Sequence, residues 1–200
     1  MPQLRFPDFD GGWERNQLSK IAGKQNNKNS HVIIKDVFTN SATHGVINQR
    51  DYFDRDIANK QNLDGYYIIE YDEFVYNPRI SECAPVGPIS RNLIGTGVMS
   101  PLYTVFRFKS GNLDFFEQYF NSTKWHKYLK SVANYGARYD RMNLTNSDFF
   151  SLPIFLPSSQ EQQKIASFFT TIDRKISQLK RKKTLLEQYK KGVMQKIFTL

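Results

Sequence analysis

The feature that most constrains this chain is an apolar side chain at every seventh position of its C-terminal segment. The series runs Ile165, Ile172, Leu179, Leu186, Val193 and Leu200. A seven-residue period is typical of a helix that packs against a second helix along its length. After Pro157 there is no further proline and Gly192 is the only glycine, so a helix from Ser159 to Leu200 is predicted, about 63 Å long at 1.5 Å per residue. The 158 residues before it make a domain too small to cover a helix of this length. Part of the heptad series from Ile165 to Leu200, which we call the seam, therefore needs a partner.

A second apolar row beside the seam widens the predicted pairing surface near the start of the helix. Lysines at positions 175, 182, 183 and 190 interrupt this row. The residues predicted to pair are Ile165, Phe168, Phe169, Ile172, Ile176, Leu179, Leu186, Tyr189, Val193 and Ile197. Ser158 and Glu161 fit a capping box, in which the Ser hydroxyl accepts from first-turn amides and the Glu carboxylate reaches back. The alternative is two shorter helices folded back on their own domain, with a break at Gly192 or at Thr170-Thr171.

Positive charge is concentrated in the same segment. The net charge of the chain is +9, and residues Ser159 to Leu200 hold ten Lys/Arg against three Asp/Glu. Such a stripe indicates a polyanionic partner, nucleic acid or an acidic membrane surface, although a solvated helix face has the same pattern. No apolar run approaches the roughly 20 residues that cross a bilayer. The N-terminus lacks a signal-peptide pattern, and the single Cys83 cannot form an internal disulfide. We therefore expect a cytoplasmic protein with no membrane partner.

The residues before the helix have the composition of a packed domain. Hydrophobic residues make up 40% of the chain and aromatic residues 14%, which argues against disorder. Strands are predicted at Val32–Ile34, Tyr66–Ile69 and Val98–Phe108, and a helix at Leu113–Val132 with a break near Ser122-Thr123. The predicted fold is an α/β (α+β) domain over residues 1–157, followed by a long helix over residues 158–200.

No catalytic or metal-binding constellation stands out in the sequence. The three histidines are scattered, without a Cys, Asp or Glu at ligand spacing. Neither a phosphate-binding loop nor a nucleophile elbow is present. Asn77-Pro78 matches part of an amino-methyltransferase loop, but the second proline and the aromatic residue are missing. The acidic pairs Asp8/Asp10 and Asp72/Glu73 lack a neighbouring Lys that would complete a nuclease-like set. We expect no catalytic residue, no metal site and no cofactor in this chain.

Several motifs distributed over nearly the whole chain form a recognisable set. The most specific is the stretch from Leu152 to Ala166, followed by Ile172 to Ile176. The other segments are Leu4–Pro7 with Trp13 and Leu18, Phe74–Pro78, Gly87–Ile89, Ser100–Tyr103 and Leu185–Phe198. Together these motifs resemble those of a known family, the specificity subunits of Type I restriction-modification enzymes, and the stretch from Leu152 is similar to their central conserved region.

The resemblance implies a fold and a role. In this family a target-recognition domain reads part of a DNA site, and a long conserved helix acts as a spacer and pairs with its counterpart as an antiparallel coiled coil. The subunit is not catalytic. It docks methyltransferase (modification) subunits and, through them, a restriction subunit. S-adenosylmethionine, ATP and Mg are therefore expected only in the partner subunits.

The chain departs from the family pattern in having one domain and one helix where the pattern has two of each. This predicts a half-length subunit that forms a homodimer through its helices and reads an inverted repeat. One alternative is a truncated first half that pairs with a different second half. The others are a coiled-coil assembly module that reads no DNA and an orphan endonuclease.

Candidate DNA contacts lie in polar loops and on the helix. Arg favours guanine and Asn or Gln favours adenine, whereas cations bind phosphates. The candidates in the domain are Ser41, Thr43, His44, Gln49, Asn77, Arg79, Arg91, Asn134, Arg138, Tyr139 and Arg141. Those on the helix are Lys175, Arg181, Lys182 and Lys183, which have acidic surfaces of the methyltransferase subunits as an alternative partner.

Overall fold

Short strands and helices follow one another along the first 157 residues, and one long helix comes after them. The computed structural model describes residues 2–52, 60–134 and 140–199. Within these ranges the strands are β1 (Glu14–Gln17), β2 (Ala22–Lys24), β3 (Phe38–Ser41), β4 (Gly45–Asn48), β5 (Tyr67–Ile69), β6 (Phe74–Tyr76), β7 (Ile89–Arg91), β8 (Gly97–Met99), β9 (Thr104–Phe108) and β10 (Pro153–Leu156). The helices are α1 (Leu18–Ile21), α2 (Gln49–Tyr52), α3 (Leu113–Asn121), α4 (His126–Val132), α5 (Asn146–Phe150) and α6 (Ser159–Phe198), with 3₁₀ turns at Ser30–Val32 and Lys60–Gly65.

The central sheet is antiparallel, with strand order β2–β9–β6–β7. Successive side chains of a strand point to opposite faces, and β6 and β9 carry apolar side chains on both faces of the sheet. Phe74 and Phe106 enter a large core on one face, whereas Val75 and Val105 enter a smaller core on the other. All four side chains are fully buried, so the sheet separates two apolar layers.

Aromatic side chains fill the larger core between the central sheet and the helices α3, α4 and α5. Phe108 stacks on Phe116 of α3 at 3.7 Å between ring centroids. Tyr76 stacks on Phe149 of α5 at 4.9 Å. Fully burying one such side chain stabilises the fold by about 1.5–3 kcal/mol. The domain therefore has a core of its own.

Two of the predicted elements are confirmed and two are not. Tyr67–Ile69 is a strand, and the helix predicted over Leu113–Val132 is interrupted between Asn121 and His126. The strand predicted at Val98–Phe108 is two strands, because a turn at Ser100–Tyr103 separates β8 from β9.

The strand prediction at Val32–Ile34 is wrong. Val32 has a φ of +51°, and Ile33 is 79% exposed. The Asn29 amide closes a loop here, since its Nδ2 donates to Ile34 O at 2.8 Å and its Oδ1 accepts from Ile34 N at 3.0 Å. This local hydrogen bonding overrides the strand preference of β-branched residues.

Helix α6 is continuous over 40 residues, about 60 Å at 1.5 Å per residue. The alternative of two shorter helices is therefore wrong, since neither Thr170-Thr171 nor Gly192 interrupts it. The predicted N-cap is confirmed, because Ser158 Oγ accepts from Glu161 N at 3.3 Å. Pairing of β1 with β10 sets the N-terminal segment beside the start of the helix. Within the described ranges, no helix has both the length and the apolar content needed to cross a bilayer.

Candidate nucleic-acid interface

The hairpin formed by β3 and β4 presents hydrogen-bonding side chains at its tip. Ser41 Oγ accepts from the backbone N–H groups of Thr43 and His44 at 3.3 and 3.4 Å, which fixes the turn locally. Thr43 Oγ1 lies 2.8 Å from His44 Nδ1, and both residues are exposed. Gly45 completes the turn with a φ of +66°. Ser41 is buried and shapes the tip, so Thr43 and His44 are the two predicted contacts that solvent can reach here.

Asn77 joins this hairpin to the segment that follows β6. Its Nδ2 donates to Asn40 O at 2.9 Å, and its Oδ1 accepts from Arg79 N at 3.0 Å. Gly87 packs against it with a φ of +79°, and an added Cβ there would lie 2.0 Å from Asn77 O. The Asn77 amide is therefore engaged by the scaffold, where it supports the hairpin and Arg79.

Two predicted arginines that are far apart in the sequence lie opposite each other. Arg79 and Arg141 form an antiparallel bridge, held by Ile80 N donating to Asp140 O and Met142 N donating to Pro78 O, both at 2.9 Å. Arg79 is exposed, and Arg141 Nε lies 3.7 Å from Asp140 and has no hydrogen-bond partner among the described residues. Like charges directly opposite destabilise a strand pair. An anion such as a phosphate would relieve that repulsion.

Arg91 has a different environment from these two. Its guanidinium donates to Asp72 Oδ1 at 2.6 Å and to Asp114 Oδ1 at 2.5 Å, and Glu117 lies 3.5 Å away. Burial alone would lower the pKa of Arg91, but hydrogen bonds to Asp114 and Asp72 raise it. Its donors are already paired with carboxylates, and they tie β7 to α3, so Arg91 is not available to a phosphate in this structure.

The remaining predicted contacts of the domain are spread over several positions. Gln49 begins α2 and is half-buried. Asn134 is exposed, and its backbone N–H donates to Asn143 O at 3.0 Å. In the sequence, Asn134 precedes and Arg141 follows residues 135–139. Arg138 and Tyr139 lie outside the described residues.

An open cavity of about 500 Å³ lies beside the hairpin tip. Its walls include Ser41 and His44 from the hairpin, and Asn121, Thr123 and His126 from the junction of α3 and α4. Burial, and then the charge of Lys130, lower the pKa of His126. Sequence reasoning did not select this junction, because nothing local indicates that it meets a hairpin eighty residues earlier.

The predicted phosphate contacts of α6, which are Lys175, Arg181, Lys182 and Lys183, are all exposed. Lys180, Arg181, Lys182 and Lys183 are consecutive, and successive helical residues are 100° apart, so positive charge surrounds the helix at this level. Lys183 lies 3.8 Å from Glu187 one turn later. An exposed pair of this kind contributes little, and these cations stay accessible to an anionic partner.

The predicted pairing residues fall into two groups. Ile165 packs against the larger core, and Phe168, although 48% exposed, meets Phe6 edge-to-face at 5.7 Å between centroids. Beyond them the apolar side chains face solvent, with Leu179 55% and Leu186 56% exposed. The exposed group also contains Phe169, Ile172, Ile176, Tyr189 and Ile197, whereas Val193 is half-buried.

Glu161 does not complete the predicted capping box, and that part of the prediction is wrong. Its carboxylate is 1% exposed and accepts from Arg5 Nε at 2.7 Å, from Arg5 Nη2 at 2.6 Å and from Trp13 Nε1 at 3.3 Å. Hydrogen bonds from Arg5 hold the pKa of Glu161 below its usual value, against the effect of burial. The charged fork of Arg5 binds the carboxylate more strongly than the N-cap amide would.

No group of three or more His, Cys, Asp or Glu side chains suited to a metal ion occurs among the residues that the structure describes. The sequence-based expectation of no metal site stays a prediction.

Comparison with known proteins points to one family. A family model described as the Type I restriction modification DNA specificity domain matches residues 12–188. No curated protein matches the chain.

Solved structures share the fold. One similar chain comes from a structure described as the structural basis underlying complex assembly and conformational transition of the type I R-M system (TM-score 0.59, 13% identity, covering 99% of this chain and 50% of that one). The others are the HsdS subunit from Thermoanaerobacter tengcongensis (0.59, 13%, 98% and 49%) and the S subunit of a Type-I restriction-modification system from M. genitalium (0.53, 13%, 90% and 43%). The chain thus spans about half the length of these similar chains or less.

Proposed function

Because this chain belongs to the family of Type I restriction modification DNA specificity domains, we propose that it reads one half of a bipartite DNA target and holds it for modification subunits. The observation that carries this proposal is the arginine pair formed by Arg79 and Arg141, two cationic residues that a backbone bridge sets opposite each other, with Asp140 3.7 Å from Arg141 Nε. The pair lies next to the hairpin tip through Asn77. Phosphate contacts set the register of a protein on DNA, and the arginine pair is suited to that task.

The hairpin tip is the element that we propose for reading bases. A two-stranded ribbon fits the major groove, where each base pair shows a distinct pattern of donors and acceptors. Thr43 and His44 are exposed at the tip, and their mutual hydrogen bond orients them. Arg138 and Tyr139, which lie outside the described residues, stay candidate base contacts on the evidence of the sequence alone.

The second half of the target requires a second recognition domain. We propose that another copy supplies it, with the two α6 helices paired antiparallel through the exposed residues of the seam. The exposure of Leu179 and Leu186 supports this pairing, since a solvated apolar row of this length is costly. An antiparallel pair has two-fold symmetry, so identical domains would read an inverted repeat.

The chain would act with other subunits and without catalysis of its own. The chain would dock methyltransferase subunits in the cytoplasm and, through them, the restriction subunit. Those partner subunits would bind S-adenosylmethionine, ATP and Mg. Exposed cations of α6 would bind either DNA between the half-sites or acidic surfaces of the methyltransferase subunits.

The test is DNA binding by the chain assembled with its modification subunits. We expect Arg79→Gln with Arg141→Gln to lower affinity for target and random DNA alike, and to reduce the salt dependence by roughly 0.9 per lost phosphate contact. Arg15→Gln with Lys20→Gln is the matched control, since both residues are exposed in the same domain. An unchanged salt dependence in the arginine variant would remove the pair from the interface. An assembly that binds no DNA would leave only a coiled-coil assembly role, which the exposed seam alone could serve.

A further inference from the structure

The first turns of helix α6 are fixed to the recognition domain by a buried ion pair. Glu161 is 1% exposed and Arg5 14% exposed, and the guanidinium meets the carboxylate with two parallel hydrogen bonds of 2.7 and 2.6 Å. Trp13 adds a third donor at 3.3 Å. A fork-to-carboxylate contact sets direction as well as distance, because both bonds must stay in one plane.

A second set of contacts, from the segment before α3 and from α3, reaches the same part of the helix. Asn112 N donates to Gln162 Oε1 at 3.1 Å, and Asn112 Nδ2 donates to Gln163 Oε1 at 2.7 Å. Gln118 Nε2 donates to Asp173 Oδ2 at 2.9 Å. We define residues 159–173 as the root of α6. Beyond the root the helix is exposed along almost its whole length.

Small errors of angle at the root grow along the rest of the helix. From Asp173 to Phe198 the helix extends by about 38 Å at 1.5 Å per residue. A tilt of about 5° at the root therefore moves its far end by about 3 Å, which is close to the rise of one base pair, about 3.4 Å. In an antiparallel pair the partner's recognition domain lies near that far end. A root that allowed such a tilt would therefore let the distance between the two recognition domains vary.

We propose that Glu161, held by Arg5 and Trp13, is a positioning residue that fixes how many base pairs separate the two half-sites. The inference rests on the proposed function, in which paired helices hold two recognition domains on one DNA. Glu161 touches no DNA in this arrangement and acts through the direction of α6. An ion pair of this kind suits the role, because the planar fork of Arg5 fixes the direction of the contact with the carboxylate.

The experiment uses the chain assembled with its modification subunits and a DNA library. The target of the wild-type assembly is first identified by sequencing the DNA that it methylates. Probes then carry the same half-sites with the native spacer, or with one or two base pairs added or removed. Glu161→Gln is compared with Glu187→Gln, which makes the same change at an exposed position beyond the root. Arg5→Lys keeps the charge but loses the planar fork.

We expect Glu161→Gln to methylate both half-site sequences as before, but to lose about tenfold of the wild-type discrimination against spacers that differ by one base pair. Arg5→Lys should give a smaller loss, and Glu187→Gln none. If Glu161→Gln does not fold, the double variant Arg5→Gln with Glu161→Gln removes both charges together and is measured in its place.

The outcomes separate this inference from the proposed function. A wild-type assembly that recognises no two-part target overturns the proposed function and this inference with it. A wild-type assembly with one fixed spacer, together with a folded variant that keeps the same spacer, overturns the positioning role alone. Loss of half-site recognition at every spacer in the folded variant also overturns it, because the ion pair would then act on the reading surface.

Discussion

The recognition domain and the helix beyond its root use the same kinds of apolar side chain in opposite ways. In the domain, Leu129 of α4 and Leu152 before β10 are completely buried. On the helix, Leu179, Leu185 and Leu186 are more than half exposed. Both regions have regular backbone structure, so the difference lies in what covers the side chains. The domain buries its own leucines, whereas the leucines of α6 can be buried only against another surface.

The difference shows that the two regions have different sources of stability. Burying a leucine in the domain stabilises each chain whatever the protein concentration. Burying a leucine of the seam requires association, and its contribution therefore depends on concentration. The root of α6 stands between the two, because Ile165 and Ala166 pack on the domain although they continue the helix.

The largest expected effect comes from truncating a buried leucine of the domain. Leu129→Ala should lower the free energy of unfolding by about 2–5 kcal/mol at any protein concentration, because it leaves a cavity. Leu179→Ala should leave the unfolding of the domain unchanged. Urea unfolding followed by Trp fluorescence at two protein concentrations measures this, since Trp13 and Trp125 both lie in the domain. Equal losses for the two variants would contradict the distinction between the regions.

The next effect concerns the seam itself. Placing charge there, with Ile172→Asp and Leu179→Asp together, should weaken self-association on the order of 100-fold, since carboxylates would be buried on pairing. Ser177→Asp is the control, because this exposed residue belongs to neither apolar row. Sedimentation of the free chain at micromolar concentration measures the change. A wild-type chain that sediments as a monomer there would argue instead for a different second half.

Local signals in the sequence were sufficient for much of the fold. The continuous heptad series predicted α6, Ser158 predicted its N-cap, and the polar Ser122-Thr123 predicted the break between α3 and α4. Each of these depends on neighbours within one or two turns. The loop at Val32–Ile34 was missed because a single side chain, Asn29, outweighs the preference of the residues around it.

The candidate interface depended on contacts that the sequence does not reveal. Asn77 and Arg91 had the residue types expected of DNA contacts, but one supports the hairpin and the other binds three carboxylates. Arg79 and Arg141 came from two separate loops and turned out to be neighbours. Pairings over such distances follow from the topology of the strands, and no local pattern encodes them.

A smaller effect on the melting temperature is expected when the pH is lowered, and this effect tests whether the root is part of the folded domain. The pKa of Glu161 is lowered in the folded chain, so its ion pair stabilises the fold above the ordinary carboxylate pKa. That contribution is lost as the pH falls through the lowered value. The melting temperature of Glu161→Gln should therefore lie below that of the wild type at pH 7, and the gap should narrow as the pH falls below the ordinary carboxylate pKa. Glu187→Gln should follow the wild type throughout, and a constant gap for Glu161→Gln would show that lost packing, not charge, is responsible.

The smallest effect distinguishes affinity on the helix from specificity in the domain. Lys182→Ala should weaken binding of target and random DNA to a similar extent, and should reduce the salt dependence by roughly 0.9 if it contacts one phosphate. Arg138→Ala should weaken binding to the target more than to random DNA, because a base contact is lost only where the base is correct. Titrations of the assembly with both DNAs at several salt concentrations measure both quantities. If Lys182→Ala changes neither binding constant but weakens capture of the methyltransferase subunits, the cations of α6 face protein instead of DNA. Equal effects of the two substitutions on both DNAs would mean that the helix and the domain do not divide the work in this way.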